Sequence, residues 1–184
     1  MDWKPSGWLS KTCPHKRLVN LIITRSLVMV TMKRIKVNAE NCAGCRQCEM
    51  VCSFHHTGKF SPSLARVTVH KDDRDGLDYP VMCHQCSQCP PIESCPTGAI
   101  SKSPEGRTWV DWQTCIGCGV CVDTCKYDTI KLADQKAIIC DLCDGAPECV
   151  KRCPTGALEY IEVLESTETP EIAFNRLREA WSLE

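Results

Sequence analysis

Bulky apolar and aromatic side chains are scarce in this chain of 184 residues. Three Phe, three Tyr and five Trp make up 6 % of it, and the 43 % counted as hydrophobic includes 17 cysteines. Too few ordinary core formers remain to hold a chain of this length by apolar burial alone, so cohesion has to come from disulfides or bound metal. An excess of positive charge is also missing: a formal net charge of −1 argues against a nucleic-acid binder, which carries a basic surplus. Nor is there an uninterrupted run of about 20 apolar residues, the length that spans a bilayer, because Leu18–Val30 is broken by Asn20 and Arg25. No small-x-small cleavage site and no twin-arginine pair accompany that run, so it does not read as an export signal. Residues 1–31 are expected to be an upstream extension of little functional weight, with translation starting at Met32, or else an amphipathic segment packing on a partner. Either way the expected compartment is the cytoplasm, where disulfide scaffolds are rare.

The cysteines supply what the apolar residues do not. Cys13 stands alone, and the other sixteen form four groups of four. Cys42, Cys45, Cys48 and Cys52 are spaced C-x2-C-x2-C-x3-C, as are Cys115, Cys118, Cys121 and Cys125. Cys83, Cys86, Cys89 and Cys95 are spaced C-x2-C-x2-C-x5-C, and Cys140, Cys143, Cys149 and Cys153 are spaced C-x2-C-x5-C-x3-C. The second and fourth groups share a tail, Cys95-Pro96-Thr97-Gly98-Ala99-Ile100 against Cys153-Pro154-Thr155-Gly156-Ala157-Leu158. A compact group followed by a Cys-Pro-Thr-Gly-Ala group thus occurs twice in tandem, as duplication of an ancestral pair would leave it.

Three cysteines two residues apart let a short loop direct three thiolates at three irons of one cubane. The fourth, three residues further on, points away and serves a neighbouring cluster, as in two-cluster ferredoxins. Structural zinc uses two C-x2-C pairs and has no place for the third and fourth cysteine of each group. Repeated C-x2-C ladders are poor bridging geometry for disulfides, and a thioredoxin-like motif needs a single such step. The spacing therefore predicts four [4Fe-4S] clusters.

Residues Cys42 to Cys153 resemble the four-cluster ferredoxin-type electron-transfer subunits that accompany molybdenum or tungsten pterin enzymes, such as the iron–sulfur subunits of dimethyl sulfoxide reductase, formate dehydrogenase and formate hydrogenlyase. The resemblance implies an α+β fold of tandem bacterial-ferredoxin-like domains. It also implies ligand sets that spacing does not choose. The first site would take Cys42, Cys45, Cys48 and Cys153, and the second Cys52, Cys140, Cys143 and Cys149. The third would take Cys83, Cys86, Cys89 and Cys125, and the fourth Cys95, Cys115, Cys118 and Cys121. One departure stands out: the family's second group usually reads C-x2-C-x4-C-x3-C-P, and here Cys89 comes two places early. Cys89 is assigned as a ligand; the alternative is a three-cysteine site favouring a [3Fe-4S] form.

Between the motifs the chain reads as hairpins with one-turn helices after Cys52, Cys95, Cys125 and Cys153. The hairpins pair Arg66–His70 with Tyr79–Met82, Ala99-Ile100 with Thr108–Trp112, and Thr129–Leu132 with Lys136–Ile139. Val37, Ile100, Val110, Ile116, Ile130, Ile139 and Leu158 are expected to pack against the clusters. Trp109 and Trp112 are expected on opposite faces of a strand. His55, His56 and His84 adjoin the cysteine groups but read as hydrogen-bonded surface groups rather than ligands. The expected organisation is residues 1–31 as extension, 32–82 with 126–162 as one two-cluster half, 83–125 as the other, and 163–184 as a docking helix. That helix starts with Thr169 as cap and Pro170 at its first position. Its stripe of Phe174, Leu177 and Trp181 would meet another subunit or fold back on its own domain.

No nucleotide loop, nucleophile triad or open metal position is found, so the chain reads as a non-catalytic electron-transfer subunit. The expected partner is a tungsten or molybdenum enzyme subunit of the aldehyde oxidoreductase type, with a formate dehydrogenase or hydrogenase-linked complex as alternative. A flavin or ferredoxin-type acceptor and self-association are also expected, and neither nucleic acid nor a membrane span. Four clusters with their thiolates, at about −2 each, would move the protein from −1 to roughly −9.

Overall fold

The computed structural model describes residues 32–163 and 168–183; Cys13 and the expectations for residues 1–31 lie outside them. Among the described residues eight short strands form four separate antiparallel pairs. Strand β1 (Met32–Val37) pairs with β8 (Leu158–Val163), β2 (Val67–Asp72) with β3 (Leu77–Met82), β4 (Ile100–Lys102) with β5 (Thr108–Val110), and β6 (Lys131–Ala133) with β7 (Lys136–Ile138). The last three are local hairpins. The first runs from Met32↔Val163 to Val37↔Leu158, so it brings the two ends of the cysteine-bearing region together and encloses everything between.

The described residues also form the helices α1 (Gln47–Thr57), α2 (Pro90–Ser94), α3 (Val120–Thr124), α4 (Glu148–Lys151) and α5 (Pro170–Trp181). Helix α1 is long because nothing stops it at Cys52. It ends where Gly58, at φ 69°, takes the left-handed conformation and donates its N–H to Phe54 O at 2.8 Å. The expected helices after Cys95, Cys125 and Cys153 instead precede those cysteines. Cys95 is extended (φ −70°, ψ 113°), as suits a residue before proline, because Pro96 crowds the helical region of its neighbour. Cys125 takes the same conformation (φ −76°, ψ 115°) without a following proline.

Three cores replace the single one a larger apolar complement would build. The first surrounds Cys52, Cys140 and Cys149 with Ala65, Val67, Met82, Leu142 and Leu158. The second joins Ala39, Leu77, Tyr79 and Val81 to Ala173, Phe174 and Leu177 of α5. The C-terminal stripe therefore folds back on its own β3, leaving Trp181 exposed. The Thr169 hydroxyl caps that helix, accepting from Ile172 N at 3.4 Å. The third core holds Ala99, Ile100, Cys115 and Cys121 with Ile130, Ala137 and Ile139. The hairpin at 131–138 thus packs with the middle of the chain through Ala137 and its flanking residues Ile130 and Ile139.

Two further expectations change. Ile116, expected against a cluster, borders the cavity of Cys95, Cys115, Cys118 and Cys121 but is 64 % exposed rather than packed inside. Trp109 and Trp112 do not lie on opposite faces: both border one cavity beside Arg66 and Arg107. Strand β5 ends at Val110, and the turn that follows removes the alternation on which the expectation rested.

Candidate metal centres

The cysteines gather in four places. Cys42, Cys45, Cys48 and Cys153 line one small cavity walled by Val69, Pro80 and Leu158. Cys83, Cys86, Cys89 and Cys125 line a second, with Ile130 and Ile139. Cys95, Cys115, Cys118 and Cys121 line a third, with Ile100, Leu132 and Ala137. Cys52, Cys140 and Cys149 share the first core, and the charge of Cys143 is felt at Cys149 and that of Cys52 at Cys143. Each group thus places three cysteines at one site and its remaining cysteine at another. Cys89 sits with Cys83 and Cys86 despite its early position, since it directly precedes α2, which the Pro90-Pro91 pair starts.

Turns in the left-handed region aim these thiols. Gly44 (φ 59°) and Gly117 (φ 69°) occupy the same place in the first and third groups. At Gly117 a side chain would strike the Gln135 backbone, and at Gly44 it would strike the Asp78 carboxylate. In the fourth group Leu142, Cys143 and Asp144 all have positive φ, with the Asp141 carboxylate accepting from Cys143 N at 3.1 Å.

Without metal, burial keeps many of these cysteines as neutral thiols. Burial pushes the Cys48 and Cys83 thiols up to about 12 and Cys143 up to about 11, and holds Cys140 and Cys149 well above the ordinary range. Such thiols stay protonated and unreactive until a cation displaces their protons. Hydrogen-bond donors already point at sulfur: Arg66 N donates to Cys52 Sγ at 3.2 Å and Ala137 N to Cys115 Sγ at 3.5 Å. Thr97 Oγ1 and Thr155 Oγ1 each lie 3.7 Å from the sulfur two residues before them, Cys95 and Cys153. Sulfur donors alone, four to a place, under apolar walls and amide donors, fit iron–sulfur clusters.

The histidines adjoin without joining. His56 Nε2 lies 3.7 Å from Cys143 Sγ and 3.7 Å from Asp141 Oδ1. Burial and the nearby Arg66 charge lower its pKa to about 4, so at neutral pH it is an uncharged imidazole with one N–H to donate. The donor atoms of His55, His56 and Cys143 fall within 4.8 Å of one another, while His84 stacks on Tyr127 with ring centroids 3.9 Å apart.

Residues 108–131 match the 4Fe-4S binding domain family. The chain is 34 % identical over 139 residues to the polyferredoxin-like subunit of an aliphatic sulfonate oxidoreductase of Pyrococcus furiosus, an alignment covering 74 % of this chain and 80 % of the relative. The chain belongs to the polyferredoxin-like iron–sulfur electron-transport family. The electron transport protein HydN of Escherichia coli is another relative, 31 % identical over 153 residues, covering 70 % of this chain and 87 % of that one. A solved active-site complex of benzoyl coenzyme A reductase contains a chain 27 % identical, with 84 % and 94 % coverage and a TM-score of 0.45. Among the described residues no helix is long and apolar enough to cross a membrane.

Several structural residues of these polyferredoxin sites carry no sequence signal. Gln85, 1 % exposed, donates Nε2–H to Cys140 O at 2.7 Å and accepts from Thr108 N at 2.7 Å, tying the second group to the fourth. Glu49, also 1 % exposed, accepts from Val69 N and from Arg46 Nε, each at 2.7 Å. Lys131 Nζ donates to Ala65 O at 3.0 Å and Lys136 Nζ to Cys115 O at 2.5 Å, and Lys102 Nζ donates to Cys86 O. Such lysines are invisible to motif reading because each contact joins distant segments.

Proposed function

We propose that this chain holds four [4Fe-4S] clusters and passes single electrons between a catalytic oxidoreductase subunit and an acceptor. The observation that carries the reading is the sorting of sixteen cysteines into four separate foursomes, each joining three cysteines of one group to one of another. The ligand sets are Cys42, Cys45, Cys48 and Cys153; Cys52, Cys140, Cys143 and Cys149; Cys83, Cys86, Cys89 and Cys125; and Cys95, Cys115, Cys118 and Cys121. Bound clusters would supply one-electron chemistry at potentials within roughly −700 to +450 mV, set by their surroundings. The protein excludes water with Ile100, Ile130, Ile139 and Leu158, donates amides to sulfur, and holds each loop by left-handed turns. Among the described residues Cys45 and Cys118 are the two exposed cysteines, so the first and fourth sites are where electrons enter and leave. The chain divides into an outer half, 32–82 with 140–163, and a middle half, 83–139.

The catalytic partner is a soluble tungsten or molybdenum pterin subunit of the aldehyde oxidoreductase type, with a formate dehydrogenase or hydrogenase-linked enzyme as the alternative. Oxygen-free purification tests both levels. Iron and labile sulfide near about sixteen each per chain, with four centres reducible by one electron, are expected, together with a co-purifying subunit that contains tungsten or molybdenum. About eight irons per chain would sink the four-cluster reading, and a partner without either metal would sink the pterin assignment.

A further inference from the structure

The four sites differ in the charge around them. At the first, the nearby cations are matched by carboxylates: Arg46 Nε pairs with Glu49 at 2.7 Å, and Lys71 Nζ, whose charge interacts with Cys42, pairs with Asp78 at 2.8 Å. At the other three a lysine is fastened to backbone carbonyls instead. Lys131 Nζ donates to Ala65 O at 3.0 Å, with Pro62 O and Val67 O at 3.5 Å, and its charge interacts with Cys52. Lys102 Nζ donates to Cys86 O, and its charge is felt at Cys89. Lys136 Nζ donates to Cys115 O at 2.5 Å. A carbonyl satisfies an ammonium's hydrogen bond without forming an ion pair: the charge of Glu49 reaches Lys131 and that of Lys136 reaches Asp111, but among the described residues none of the three lysines is held in a salt bridge, and each sits in a partly buried place where its charge acts at short range.

We infer that Lys131, Lys102 and Lys136 are potential-setting positioning residues of the second, third and fourth sites, each a fixed cation held against one ligand loop. The inference rests on the four-cluster reading. Reducing a cluster with four thiolates takes the site from about −2 to −3, so a fixed cation stabilises the reduced form more than the oxidised form and raises the midpoint potential. Among the described residues the first site, whose neighbouring cations Arg46 and Lys71 are paired with carboxylates, has no equivalent.

Lys131→Gln, Lys102→Gln and Lys136→Gln keep an N–H donor for the carbonyl and remove the charge, and Lys→Arg at each position keeps both. In anaerobically purified full-length protein, redox titration followed by electron paramagnetic resonance is expected to show one midpoint moving to more negative potential in each glutamine variant. A different centre moves in each case, the centre of the first site moves in none, and the arginine variants restore the native value. Iron per chain stays at the wild-type level throughout. Unchanged midpoints in all three glutamine variants overturn the inference, as does a uniform shift of all four centres or loss of iron from the glutamine variants, since the lysines would then serve only the fold. Wild-type protein with fewer than four centres would instead overturn the four-cluster reading itself.

Discussion

The first and third cysteine groups have identical spacing and opposite settings. Both place a left-handed glycine between their first two cysteines, Gly44 and Gly117, and both begin a helix from a left-handed residue, Arg46 (φ 59°) and Gly119 (φ 84°). There the likeness ends. After the first group α1 runs eleven residues and carries Cys52 inside it, 6 % exposed, into the first core. After the third, α3 runs five residues and stops, leaving Cys125 extended and half-buried at its end. The rim of the first site carries Arg46 and Gln47, whereas the fourth presents Ile116, Gly119 and Leu132. Spacing thus dictates how three thiols converge, and the residues between and after them dictate what the fourth thiol does and what the site shows to a partner.

The sharpest way to break that comparison is at the fourth cysteine. Cys52→Ser and Cys125→Ser each remove one ligand, and each is expected to lose or convert one cluster. Cys52→Ser also leaves a hydroxyl among apolar side chains with the Arg66 N–H as its partner, adding about 1 kcal/mol of destabilisation, or about 2–4 °C in Tm for a chain of this size. Iron analysis with thermal unfolding of the anaerobic protein checks this; equal Tm values in the two variants would show that Cys52 contributes nothing to the fold beyond its metal.

The glycines give the next largest contrast. Alanine at either position takes a conformation costing about 1–2 kcal/mol. At Gly117 the added Cβ also meets the Gln135 backbone, which cannot step aside, while at Gly44 it meets the Asp78 side chain, which can swing away by giving up its pairing with Lys71, worth about 0–1 kcal/mol. Gly117→Ala should therefore cost about 3 kcal/mol or more and deplete the fourth site, and Gly44→Ala about 2 kcal/mol with the first site retained. Denaturation midpoints and iron content, compared side by side, read the difference.

Helix α5 buttresses the hairpin beside the first site, whereas its buried residues lie in a core separate from that of the third and fourth sites. Leu177→Ala, at a residue 2 % exposed, is expected to cost about 2–3 kcal/mol. Hydrogen exchange should rise in β2 and β3 and stay unchanged in β4 to β7. Protection lost equally in both halves would mean that the halves unfold as one unit.

How much of this was legible in the sequence follows the same division. Cysteine spacing and turn residues are local, and the four groups, the three hairpins and the Thr169–Pro170 start of α5 could be read from them. Ile116 borders its cysteine site as expected, but its exposure is not legible because an apolar residue inside a cysteine loop has no periodicity to say how far it faces solvent. The helices lie before rather than after Cys95, Cys125 and Cys153; Pro96 accounts for the extended Cys95, whereas nothing local in the sequence marks the extended Cys125. Gln85, Glu49 and the three lysines were missed for a different reason: each acts through a contact with a distant segment, and a single polar residue carries no mark of its partner.

The smallest expected effect tests where the first and fourth sites are alike. Cys153 and Cys95, the cysteines that join the first and third groups at their sites, both precede Pro-Thr-Gly-Ala, and both thiols lie below the ordinary range. Burial acts to raise each, but the Thr155 or Thr97 hydroxyl and neighbouring backbone N–H groups outweigh it. Thr97→Val and Thr155→Val keep the shape and remove the hydroxyl donor, so the thiolate loses a partner and the pKa rises toward the ordinary value. In metal-free protein whose retained fold is verified by circular dichroism, the pH midpoint for alkylation of Cys95 or Cys153 should move upward, and at neutral pH the rate should fall, by the same modest factor at both positions. Site-resolved mass spectrometry of iodoacetamide labelling across a pH series measures this directly. A midpoint that moves at one cysteine but not the other would show that the shared tail, unlike the shared spacing, does not give its two copies the same electrostatics.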